Sequence, residues 1–148
     1  MTGTRSYRLR ILLSLLTLAF APASVWAQAG DAPVIFAGAQ LARIMPPGFY
    51  FEGQSAPTQM RNSAAARFGA KQHVIAGMVD TSGYSADVRS RYEGFLIIDT
   101  PMKVGGQELV TGAYGFGFTE GNKFTVSDVG GNQIFSVETE PDRNLRRP

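Results

Sequence analysis

Val79-Asp80-Thr81-Ser82-Gly83 sets one carboxylate in a turn directly after the apolar run His73 to Val79. Such a turn can do chemistry when two of them meet. Two close carboxylates cannot both ionise, so they share a proton and activate water between them. The chain offers one turn of this kind, so the second carboxylate would come from a second copy. Ser82 and Ser85 lie nearby, but a serine nucleophile needs a base. The one histidine, His73, opens an apolar run, and there is no Gly-x-Ser-x-Gly elbow. One histidine and no cysteine make a poor zinc set. Asp80 and Asp87 lack the spacing of a calcium loop. Gly105-Gly106 and Gly130-Gly131 lack the Lys-Ser/Thr and the helix of a phosphate loop. No metal and no other cofactor is expected.

The Asp80 turn resembles the Asp-Thr-Gly or Asp-Ser-Gly turn of the aspartic proteases. "VGGNQIF" (129–135) resembles the apolar-glycine segment that packs beneath their active site. The resemblance implies a hydrolase acting as a homodimer centred on Asp80. Ser82, however, stands where that family has glycine, and Gly83 follows one residue late. The shift moves the amides that orient the carboxylate. The competing reading is an Asp-capped surface turn, built from residues that turns use. It is preferred, and Asp80 is kept as the alternative catalytic residue.

A second candidate is "LVTGAYGFGFT" (109–119). Tyr114, Phe116 and Phe118 alternate there with Gly115 and Gly117. On a strand, alternation sends three rings to one face and leaves the other almost bare. Interior glycines weaken a strand by roughly 0.5–1 kcal/mol each, so something must offset them. A sharp bend would do so, as would a large side chain from elsewhere, with Phe124, Phe135, Phe95 and Tyr50 available. The third account is a ligand, with Tyr114, Gly115, Phe116 and Gly117 as its site. Arg89 and Arg91, beside Tyr92, read as solvated residues.

The elements that would hold these residues begin after a leader. Arg5, Arg8 and Arg10 precede an eleven-residue apolar run, Ile11 to Ala21. Val25-Trp26-Ala27 then offers small residues at the cleavage positions. The pattern predicts a signal peptide over 1–27, with cleavage after Ala29 as the second choice. The run is short of the roughly 20 residues that span a bilayer, so no membrane span is expected. Loss of the leader removes three of fourteen Lys/Arg and leaves eleven against twelve Asp/Glu. The basic balance that would suit nucleic acid goes with it. An exported chain with no cysteine must rest on its core alone.

Within the remainder, Val34 to Ala42 has no clear type, and Pro46-Pro47-Gly48 is a firm break. Phe49-Tyr50-Phe51 favours strand. Residues 57–68, "PTQMRNSAAARF", lean to helix on their three alanines, with a strand turning at Gly69 to Lys71 as the alternative. "HVIAGMVD" (73–80) and "YEGFLIID" (92–99) are apolar on both faces and read as central strands, joined by a polar loop. Four further runs follow, Met102 to Val104, Leu109 to Thr119, 123–129 and 133–138, with Gly105-Gly106, Glu120-Gly121-Asn122 and Gly130-Gly131-Asn132 as their turns. Residues 139–148 form an Arg-rich tail.

The fold expected is mainly β: one domain over 28–138, a small antiparallel barrel or sandwich of about seven strands with one short helix. The runs "VDTSGYS", "YEGFLI", "LVTGAYGFGF" and "FTVSDVGGNQIFS" resemble a group of uncharacterised exported bacterial proteins. The resemblance implies export and a compact β domain and adds no catalytic residue. The function expected is a non-catalytic binding or interaction module, periplasmic or secreted, whose partner is a protein or a small apolar ligand.

Overall fold

The computed structural model describes residues 32–144. Residues 1–27, expected to be a signal peptide, and the last residues of the tail lie outside them. The described chain is mainly β, with ten strands and two short helices. In order they are β1 (Val34–Phe36), α1 (Gly38–Ile44), β2 (Gly48–Phe51), β3 (Gln54–Phe68) and β4 (Gln72–Val79). Then come α2 (Ala86–Arg91), β5 (Gly94–Ile98), β6 (Met102–Val104), β7 (Gln107–Leu109), β8 (Gly112–Thr119), β9 (Lys123–Asp128) and β10 (Gln133–Glu138).

Eight strands make one antiparallel sheet in the order β1-β3-β4-β5-β8-β9-β10, with β2 on the first part of β3; β6 and β7 form a separate hairpin. The sheet is not closed into a barrel. It curls far enough for the Glu52 amide to reach the Val129 carbonyl at 2.8 Å, joining the β2–β3 turn to the end of β9.

Residues 57–68 are strand, not helix. Their alanines prefer helix in isolation, but that preference is worth only tenths of a kcal/mol per residue. Here β3 has neighbours on both edges: β4 along one, β2 and β1 along the other. Ala56 and Ala65 are buried, and their small side chains let the layers approach. The β3–β4 pairing runs to Gln59↔Met78 and resumes at Ser63↔Gly77, so Met60, Arg61 and Asn62 bulge out of the ladder. The bulge bonds to itself: Ser63 Oγ donates to the Gln59 carbonyl at 2.8 Å, and Asn62 Nδ2 to Gln59 Oε1 at 2.6 Å. The loop expected over 80–91 contains α2, capped by Ser85.

Alternation along the strands feeds two cores, one on each face. The first gathers Met45, Phe49, Phe51, Ala56, Val79, Tyr92 and Phe95. Phe49 stacks on Phe95 with centroids 4.8 Å apart, and Phe51 on Tyr92 at 4.6 Å. Leu41 of α1 and Val88 of α2 close it from above. The second gathers Leu96, Ile98, Leu109, Tyr114 and Val126, covered by Met102 and Val104 of the β6–β7 hairpin. Tyr92 stands just before β5 and joins the first core, whereas Leu96 and Ile98 of β5 join the second.

Candidate functional site

Strand β8 carries both faces of the question that its sequence raises. Its glycine face is filled. A Cβ on Gly115 would overlap the ring of Phe51, and one on Gly117 would lie 2.7 Å from the carbonyl group at the end of α2. The filling ring is Phe51, which the sequence did not single out. The helix is held down by two tyrosines: Tyr84 Oη donates to the Ser55 carbonyl at 2.6 Å and Tyr92 Oη to the Phe49 carbonyl at 2.8 Å. Burial pushes the Tyr92 hydroxyl well above the ordinary phenol range. Arg91 adds bonds to Asp87 at 2.8 Å and Glu52 at 3.1 Å.

The ring face grades from buried to open. Tyr114 is buried and donates to the Val110 carbonyl at 2.7 Å. Phe116 is half-buried, and Phe118 is 48% exposed. Phe116, Phe118 and Phe124 form a cluster with centroids 5.2 to 6.4 Å apart. Beyond the cover of the β6–β7 hairpin, this face holds a groove of about 730 Å³. Ala76 and Met78 of β4 and Phe116 of β8 give it an apolar floor. Gly94 lies beneath the Phe116 ring, where a Cβ would overlap it. The β3 bulge forms one wall with Arg61, Asn62 and Ser63, and Glu93 stands on the rim. One oxygen of Glu93 accepts the Phe118 amide at 3.2 Å. The volume falls in the range of roughly 300–1,000 Å³ usual for small-ligand sites.

A polar cleft of about 460 Å³ lies elsewhere, lined by Ser90, Thr119, Thr125 and Ser136 among others. Its hydroxyls are already engaged, Thr119 with Thr125 at 3.3 Å, Thr125 with Ser136 at 3.0 Å, and Ser90 donating to the Asp87 carbonyl at 2.8 Å. The apolar groove is the better candidate, because its surfaces have no partner within the fold.

No family model, no curated protein and no solved structure matches this chain. The site must therefore be read from its own chemistry.

Of the four residues expected to bind a ligand, Phe116 lines the groove. Tyr114 belongs to the core beside it, and Gly115 and Gly117 face the opposite side against Phe51 and α2. Met78, Ala76, Arg61 and Glu93 were not singled out in the sequence. The alternation of "HVIAGMVD" could have shown Met78 and Ala76 on one face. Nothing local marks which strands lie beside β8.

Asp80 is exposed just past β4, and its Oδ1 accepts the Ser82 amide at 3.0 Å. Hydrogen bonds from that amide and from the Ser82 side chain hold the carboxyl below its usual range. His73 bonds Asp99 through both its backbone amide and Nδ1, the latter at 2.9 Å, and stacks on Phe36. Among the described residues, no three His, Asp or Glu side chains gather as a metal site would require.

Proposed function

We propose that the chain is an exported, non-catalytic binding module, released into the periplasm or beyond, whose groove over Met78 and Phe116 holds a small apolar ligand. The observation that carries this reading is the open end of the aromatic face. Phe116 lines the groove with Ala76 and Met78 where the β6–β7 hairpin no longer covers the sheet, and Phe118, 48% exposed, lies edge-on to its ring outside the groove. Contiguous apolar surface rimmed by polar residues marks binding sites on small proteins. Covering it returns roughly 25 cal/mol per Å² of apolar area removed from water. The leader-like N-terminus supports export.

The test is titration with a neutral apolar fluorophore, N-phenyl-1-naphthylamine, into the mature protein. Saturable enhancement is expected, weakened several-fold in Met78→Gln. Equal weak signals from wild type and a still-folded Met78→Gln would overturn the reading.

A further inference from the structure

The groove is not uniformly apolar. Arg61 stands at one end on the β3 bulge, with Asn62 beside it. Among the described residues, no carboxylate lies within 4.0 Å of the Arg61 guanidinium; the ion pairs there belong to His73 and Arg91. Glu93 stands further across, and one of its carboxylate oxygens already accepts the Phe118 amide. The floor of the same groove is Ala76, Met78 and Phe116, none of which offers a polar side-chain group. From β3 across β4 and β5 to β8 is three strand spacings. At about 4.8 Å each, that is a path of about 14 Å.

We infer that the natural occupant is a medium-chain aliphatic carboxylate, its head on Arg61 and Asn62 and its chain laid over Met78 toward Phe116. The inference rests on the groove reading above. A guanidinium presents a planar fork of donors that matches a carboxylate, and the Asn62 amide, one N–H of which goes to Gln59 Oε1, has a second to give. The described body is acidic, so an anion is drawn here only by local charge. That makes Arg61 the residue that decides between an anionic and a neutral head. A chain of about ten carbons suits the length of the floor, while the Glu93 end disfavours a second anionic group.

The experiment compares decanoate with 1-decanol by isothermal titration calorimetry on the mature protein. Wild type is to bind decanoate about fivefold more tightly, the scale of a partly exposed ion pair. Arg61→Gln should bring the two affinities together. Arg89→Gln, an exposed arginine on α2 outside the groove, should leave the preference intact. Equal binding of both ligands to wild type would overturn the carboxylate head and leave the apolar groove standing. A preference that survives Arg61→Gln would do the same. Binding of neither ligand would overturn the groove reading along with it. Melting curves keep a loss of fold from passing as a loss of affinity.

Discussion

The two faces of the central sheet are made by the same strands and end differently. On one, Phe49, Phe51, Tyr92 and Phe95 stack under α1 and α2. On the other, the hairpin covers Leu96, Ile98 and Tyr114 and stops short of Phe116 and Phe118. The face of β8 that carries glycine is the filled one, and the face that carries rings is the one left open. Small residues there mark a close approach by the protein's own Phe51 and helix backbone. The large ones mark where the fold supplies no further cover. Glycine and ring alternation alone does not show which face faces solvent; the position of the covering elements does.

The contrast is easiest to break by truncating one ring from each face. Phe95→Ala should cost about 3–5 kcal/mol in urea unfolding, since its ring is wholly buried. Phe118→Ala should cost less than about 1 kcal/mol. Similar losses would mean the faces are equally packed. A smaller effect comes from adding bulk. Gly117→Val should cost about 1–3 kcal/mol, because the obstructing atoms are helix backbone. Gly94→Ala should fall in the same range, because its Cβ would meet the Gly77 carbonyl oxygen at 2.7 Å as well as the Phe116 ring. Tyr92→Phe should lose about 1 kcal/mol, the net value of its bond to Phe49.

Acid gives the next measurement. The His73 amide and ring hold the Asp99 carboxyl below its usual range, and bonds from Asn132 do the same for Asp128. A carboxyl depressed in the folded state contributes stability that is fully present above its unfolded pKa of about 3.9. That contribution is lost as pH falls through the lower folded value. Thermal melts should therefore drop below about pH 4, and less steeply in Asp128→Asn. The smallest effect expected is from Asp80→Asn, which should leave the melting curve essentially unchanged, because an amide oxygen still accepts from Ser82. Wild-type digestion of casein at acid pH, abolished by this change, would instead revive the catalytic reading of Asp80.

The sequence was clearest where local chemistry decides the structure. The turns at Gly121-Asn122 and Gly131 take positive φ, so glycine and asparagine announce the β8–β9 and β9–β10 hairpins. Asp80 was legible as a turn residue for the same reason. Residues 57–68 were not, because their alanines speak for helix and strand neighbours on both edges outvote them. The partner of Gly115 was equally hidden. Phe51 is 64 positions away in sequence, and only the curl of the sheet brings its ring there. For the groove, β8 named one floor residue. Arg61 carried no reading in the sequence, where nothing marks the bulge that sets it beside Met78.

Met60, Arg61 and Asn62 sit outside the pairing frame, and the bonds that close their loop join Gln59 to Ser63 and to Asn62, leaving Met60 and Arg61 out of both. Those two positions are thus free to vary without disturbing the alignment on either side. Exchanging that pair would let a descendant, or a laboratory library, swap head-group preference while inheriting the scaffold unchanged.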